Sequence, residues 1–155
     1  MVSKLGFCDL GFAKVDIDRQ RRKGFAEVIY CPGKTRVHLV KISQELLKNK
    51  QDLLLTKLDK NTFTSLKKSI PRLKYNSLAK IGFVLQKSKG SKKGLVVVIC
   101  AGTSDIPVAE EAVVTLQAMG NRLIKLYDVG VAGVHRIMNS IDVINEAKVI
   151  IVVAG

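Results

Sequence analysis

Residues 95–101 read Leu95-Val96-Val97-Val98-Ile99-Cys100-Ala101, with no polar side chain among them. An apolar run of this length, rich in β-branched residues, predicts a strand buried on both faces, as in a parallel sheet. It gives way to Gly102-Thr103-Ser104-Asp105 and then to Ile106-Pro107-Val108-Ala109-Glu110-Glu111-Ala112. Ser104 or Asp105 can cap a helix here, Pro107 suits its first turn, and Glu110 and Glu111 lie near its positive end. Val108, Ala112, Leu116 and Met119 recur at helical spacing, and Gly120 supplies a stop. A strand over 123–127 follows. Val134, Ile137, Met138, Ile141 and Ile144 form a second helical stripe, and a third strand spans 149–153. This β-α-β-α-β order predicts the start of a doubly wound parallel sheet. Ligands bind such sheets where strand carboxyl ends meet the following helices. The loops 102–105 and 128–136 fall at those ends.

The preceding residues have a different character. Of 155 residues the chain has 26 basic and 13 acidic, a net charge of +13. Residues 1–93 carry 22 basic and 7 acidic residues, so the first part holds +15 and the remainder −2. A basic half attracts an anionic partner, whether a nucleotide, a nucleic acid or an anionic membrane surface; a solvated lysine-rich face fits the same numbers. Aromatic residues make up only 5% and there is no Trp, which argues against a single-strand nucleic-acid binder. No apolar run reaches the roughly 20 residues of a membrane helix. Cys8, Cys31 and Cys100 are too few and too scattered for a disulfide framework or a zinc site, which fits a reduced cytoplasmic protein.

Residues 1–15 read as an introductory segment. A strand is expected over 25–30, a turn at Pro32-Gly33, a helix over 37–47 with Val40, Leu46 and Leu47 among its apolar positions, a short strand over 52–56, and a helix over 61–69 stopped by Pro71. Residues 75–85 suggest one or two further strands. Residues 87–94 are small, polar and charged, a linker by composition. They place a boundary near residue 90, with domains 1–90 and 91–155.

Asp16, Arg19 and Arg22 recur every three residues. On a helical turn this brings two guanidinium groups to one face, suited to bidentate capture of phosphate or carboxylate; the same residues also fit a plain charged helix. Gly33-Lys34-Thr35 resembles the tail of a phosphate loop but lacks the earlier glycine of a Walker motif. Gly102-Thr103-Ser104-Asp105 combines two hydroxyls, a carboxylate and backbone N–H groups at a helix start, where an anion is favoured. His135, one of two histidines with His38, lies in a glycine-flanked loop beside Arg136, where a proton carrier is useful. Cys100 reads as a core residue and Cys31 as an exposed turn residue.

Taken together, residues 102–112 and 128–136 resemble the LarB family, enzymes of nickel-pincer cofactor biosynthesis whose C-terminal half is similar to PurE, the phosphoribosylaminoimidazole carboxylase of purine synthesis. The pairs Ser104-Asp105 and His135-Arg136 are the PurE-like part. Asp16-x-x-Arg19-x-x-Arg22-x-Gly24-Phe25-x-Glu27, with Gly33-Lys34-Thr35, resembles the LarB N-terminal half, with Ala26 where the family usually has proline. The resemblance implies an α/β chain: a small α+β N-terminal domain and a PurE-like (flavodoxin-like) three-layer parallel-sheet domain. It implies carboxylation of the pyridinium ring of nicotinic acid adenine dinucleotide and hydrolysis of its phosphoanhydride, giving pyridinium-3,5-biscarboxylic acid mononucleotide and AMP. Carbon dioxide or bicarbonate is then the carbon source. The implied catalytic residues are Asp105 and His135. The implied substrate contacts are Gly102, Thr103, Ser104, Arg136, Arg19, Arg22, Lys34 and Thr35, with magnesium at Asp105 and no tightly bound organic cofactor. A PurE-like homo-octamer or a complementing C-terminal chain is the expected assembly. The family's nucleophilic cysteine matches none of the three here, and the sequence stops at the third strand. An incomplete second domain, inactive by itself, is therefore expected. A PurE-type carboxylase and a basic nucleotide- or nucleic-acid-binding module are the competing readings.

Overall fold

The computed structural model describes residues 6–86 and 94–155, and the chain divides into two units, Met1–Lys87 and Ser88–Gly155. Apart from Gly94, the linker expected over 87–94 lies outside the described residues.

In the first unit the introductory segment is an antiparallel hairpin, β1 (Phe7–Asp9) and β2 (Lys14–Asp16). A five-residue helix, α1 (Arg19–Lys23), follows. The strand expected from Phe25 starts only at Val28: β3 is Val28–Tyr30. Phe25 packs instead under the Arg19 guanidinium, 5.0 Å from its ring centre. Helix α2 (Arg36–Lys48) crosses over to β4 (Leu53–Thr56), which pairs parallel with β3. Helix α3 (Lys60–Ser69) leads to β5 (Lys74–Asn76) and β6 (Ile81–Val84), and the sheet order is β3-β4-β6-β5. β6 runs antiparallel to both neighbours. Leu53 and Leu55, two apart and so on one face of β4, are fully buried. They share a core with Leu39, Ile42 and Leu46 of α2, Leu66 of α3 and Val15 of the hairpin. Cys31 belongs to that core too, at 7% exposure. It is therefore not the exposed turn residue that the following Pro32-Gly33 suggested. The turn is exposed, but the residue before it still points inward from the end of β3.

The second unit is a three-layer α/β/α arrangement. β7 (Leu95–Cys100) lies between β8 (Arg122–Leu126) and β9 (Val149–Val153), all parallel, and every residue of β7 is buried. Val98 and Cys100 face helix α4 (Ile106–Ala118), whereas Leu95, Val97 and Ile99 face Val143 and Ile144 on the other side. The helical stripe from Val134 to Ile144 is not one helix. It is a 3-10 turn (Val131–Gly133), then α5 (Val134–Met138) and α6 (Ile141–Asn145), broken at Asn139-Ser140. These polar residues favour local turns over a continuous helix. In α4 the buried side carries Ala109, Glu110, Val113 and Val114, while Val108 is 55% exposed. Val108 is therefore off the packing stripe proposed for it. Glu110 is not a surface acid.

Candidate functional site

The carboxyl ends of β3 and β4 lie side by side, as a parallel pair requires. The Cys31 N–H donates to Thr56 O (3.1 Å). Each strand end runs into a helix start. Thr35 caps α2 by accepting from the His38 N–H (3.2 Å), and Asp59 caps α3 by accepting from the Thr62 N–H (2.9 Å). The Thr35 hydroxyl is therefore engaged within the fold. Lys34 is exposed, and its ammonium donates to Tyr30 O (2.7 Å).

The arginines of α1 differ from one another. Arg22 forms an ion pair with Asp16 and a second, at 3.4 Å, with Asp18. Arg21 forks onto Asp18 at 2.7 and 3.1 Å. That contact holds the Asp18 carboxyl below its ordinary range. Arg22 and Arg19 thus do not act as the pair expected from their spacing. Arg19 lies over Phe25, and its Nε is buried with no hydrogen-bond partner. Of the four N-terminal residues implied by the resemblance, Arg19 is the one with an unspent buried donor. Beside it sits Glu27, which accepts from the Asp16 N–H (2.6 Å). Burial pushes the Glu27 carboxyl up, and Asp16 adds to this; the Asp16 N–H, Arg19 and Lys34 act the other way. The spacing of the arginines drew attention to cations, and only the folded segment shows that Asp16 and Asp18 consume Arg21 and Arg22.

In the second unit two strand-end loops are stitched together. The Val129 and Gly130 N–H groups donate to Cys100 O (3.2 Å) and Ala101 O (2.9 Å). A Cβ on Gly130 would lie 2.8 Å from Ala101 O, so this approach needs glycine. Residues Thr103–Asp105 form a 3-10 turn. The Asp105 Oδ2 accepts from the Gly102 N–H (2.9 Å), and neither Ser104 nor Asp105 caps α4 through its side chain. Thr103 and Ser104 are exposed, as is His135. Arg136 donates to Asp128 Oδ2 at 2.7 Å. Asp105 thus ends the 3-10 turn after β7, whereas His135, expected in a glycine-flanked loop, lies in the first turn of α5 after the neighbouring strand β8. The reversal of strand order falls between β7 and β9, so β8, which precedes His135, is on the other side of β7 from it.

Among the described residues no three His, Cys, Asp or Glu side chains cluster as a metal site. A magnesium ion at Asp105 would be held by a carboxylate whose other oxygen is engaged, with water and substrate phosphates completing the shell, a common arrangement for this ion. None of the cysteines is poised as a nucleophile. Burial raises Cys31 to about 11, and burial with Glu45 raises Cys8. Cys100 is fully buried and donates to Gly102 O (3.5 Å).

A buried polar knot escaped the sequence reading. Glu110, 5% exposed, accepts from Lys125 Nζ (2.5 Å) and Tyr127 Oη (2.7 Å). Burial and the Glu110 carboxylate push the Tyr127 phenol well above its ordinary range, so it remains a donor. The available signal was Lys125 and Tyr127 two apart on a strand, hence on the face that meets α4.

The fold defines a two-unit α/β protein whose strand-end loops carry charged and hydroxyl side chains. Residues 7–87 match the LarB/PurE-like N-terminal domain, more than half of the chain, and the protein belongs to that family. It is also 40% identical, over 152 residues, to the uncharacterized protein MJ0165 of Methanocaldococcus jannaschii. That alignment covers 92% of this chain and 59% of the relative. The chain thus spans about three-fifths of the length of the relative it matches. No described helix is long and apolar enough to cross a membrane.

Proposed function

We propose that this chain provides the dinucleotide-handling part of a LarB-type carboxylase/hydrolase, acting on nicotinic acid adenine dinucleotide and carbon dioxide or bicarbonate in nickel-pincer cofactor synthesis. The observation that carries this reading is the family match over 7–87, the stretch that also holds Arg19 with its unspent buried donor. Because the match lies ahead of the PurE-like half, it favours a LarB-type over a purine-synthesis reaction.

In this reading Arg19 binds the anionic part of the substrate and Lys34 adds positive charge beside it. Guanidinium and ammonium groups stabilise the negative charge that develops as a phosphoanhydride breaks. The exposed hydroxyls of Thr103 and Ser104 suit ribose or phosphate oxygens, and Arg136, oriented by Asp128, suits an anion. Asp105 holds the Gly102 turn with one oxygen and offers the other to ribose or magnesium. His135, exposed in the first turn of α5, suits proton transfer. A pyridinium ring accepts a carboxyl group only after a nucleophile has added to it. The three thiols described above are held protonated or buried, so that nucleophile comes from outside these 155 residues.

The test separates binding from chemistry. The chain is titrated with nicotinic acid adenine dinucleotide by calorimetry, then incubated with it, bicarbonate and magnesium, and AMP and the dicarboxylated mononucleotide are sought by chromatography. Binding without product is expected. Arg19→Gln should weaken binding by about 1.5–3 kcal/mol, the value of a charge-assisted hydrogen bond, and Arg22→Gln by less because Asp16 and Asp18 already hold it. No binding, or equal loss in both variants, would overturn the assignment. Product from the chain alone would refute the external nucleophile.

A further inference from the structure

At the far end of the first sheet, away from the Cys31 and Thr56 strand ends, two cavities adjoin. The pairing of Leu53 with Val84 places them there, because Val84 lines both and Leu53 opens β4. One has a volume of about 410 Å³ and the other about 280 Å³, and they share Pro71, Arg72 and Val84. The larger is lined by Lys67, Arg72 and Lys74 together with Pro71, Phe83 and Leu85. Neither lining contains a carboxylate. Three cations beside an aromatic and aliphatic wall are costly to gather on a fold without an anion to offset them.

The cations have spare capacity. Lys67 uses one ammonium donor on Leu73 O (2.6 Å). Arg72 makes one long bond, to Gln86 Oε1 at 3.4 Å, so most of its five donors remain. Its backbone is fixed by the turn in which the Leu73 N–H donates to Ile70 O (3.0 Å), with Pro71 at the second position. Gln86 is fixed in turn, its N–H donating to the Asp52 carboxylate (2.9 Å). Arg72 thus projects from a rigid corner. Pockets of a few hundred Å³ with apolar walls and a few convergent polar groups typify small-molecule sites.

We propose that these adjoining cavities bind a small organic anion, a phosphate- or carboxylate-bearing molecule with a flat apolar part, Arg72 and Lys74 holding the anionic group and Phe83 and Pro71 the flat part. This site shares no residue with the reaction proposed above.

The probe is phenyl phosphate, titrated into the 155-residue chain while backbone amide shifts are followed by NMR. Saturable shifts are expected at residues 70–74 and 83–86. Inorganic phosphate and phenol, each carrying half of the chemistry, should bind more weakly at the same amides. Arg72→Gln should weaken phenyl phosphate about tenfold, one charge-assisted hydrogen bond, and Lys74→Gln should also weaken it. An unchanged spectrum away from the turn shows that each variant is folded. The proposal is overturned if those amides do not shift saturably, if folded Arg72→Gln binds equally well, or if inorganic phosphate binds as tightly as phenyl phosphate.

Discussion

The two units use the same residue class to opposite ends. In the first, the apolar residues of β4 lie between two neighbouring strands and under α2 and α3, and Leu53 and Leu55 are fully buried. In the second, β7 is buried along its whole length, yet β9, just as β-branched, leaves Val149, Ile150 and Val152 at 52%, 45% and 64% exposure. A parallel strand is normally covered on both faces and on its free edge. The difference teaches that Val and Ile content predicts a strand well and predicts what covers it poorly. It also divides the molecule into a part whose stability is internal and a part that presents an apolar edge to its surroundings.

The largest effect is expected where the burial is internal. Leu55→Ala should destabilise the first unit by about 2–5 kcal/mol, the range for a buried leucine truncated in a core. Val152→Ala should change the second by within about 0.5 kcal/mol, as at exposed positions. Amide hydrogen exchange reads each unit separately. Equal losses in the two units would break the comparison.

The open edge makes a second prediction. The chain should self-associate through β9, and Ile150→Lys with Val152→Lys should return it to the monomer mass in light scattering, because charge on an edge strand opposes edge pairing. A wild-type chain that is monomeric at every concentration would show that the edge is sufficiently protected as it stands.

What was legible in the sequence follows the same division. The strand 95–100 was readable because seven successive apolar residues leave no other periodicity, and its loop 102–105 because glycine and hydroxyls interrupt it sharply. The hairpin at residues 7–16 was not, since its strands are three residues long and alternate too briefly to show a period. The charge pattern of α1 identified cations but not their state. Arg22 and Lys34 are occupied by Asp16, Asp18 and Tyr30 O, partners set by tertiary structure. Glu110 was hidden because a helix-start position near two acids reads equally well as surface charge.

The stitched loops sharpen the comparison at the scale of one atom. Gly130→Ala sets a Cβ against Ala101 O, a backbone atom that cannot move aside, and should destabilise the second unit by about 1–3 kcal/mol, the range for overpacking. Gly133→Ala meets the side chain of Arg136 instead. That side chain can swing away at the expense of its bond to Asp128, so a smaller loss is expected in the same exchange measurement. A larger loss at Gly133 would mean that the Arg136–Asp128 pair, and not the backbone stitch, holds the loops.

The smallest effect concerns a charge, and it distinguishes the units by pH. Glu27 is raised above its ordinary value of 4.5, chiefly by burial and also by Asp16, with the Asp16 N–H, Arg19 and Lys34 opposing. In the window above 4.5 the folded protein therefore binds more protons at this site than the unfolded chain. Stability at the first unit falls as pH rises through that window, and once Glu27 ionises the desolvation of its carboxylate is fully felt. Asp18 and Asp59 are shifted the other way, Asp18 by Arg21 and Asp59 by the cap bond from Thr62. Their contributions are present above 3.8 and are lost as pH falls through their lowered values, so they occupy a separate, more acidic window. Glu27→Gln keeps an oxygen to accept the Asp16 N–H and removes the charge. It should leave stability at pH 4 nearly unchanged, raise it at pH 7 by less than about 1 kcal/mol, the scale of a partly exposed charge, and flatten the decline between them. Exchange in the second unit, which lacks this group, should not respond. A variant less stable than wild type at pH 7 would show that the ionised carboxylate is held favourably by Arg19 and Lys34 in the free protein, and Arg19 would then have no charge to spare for a ligand.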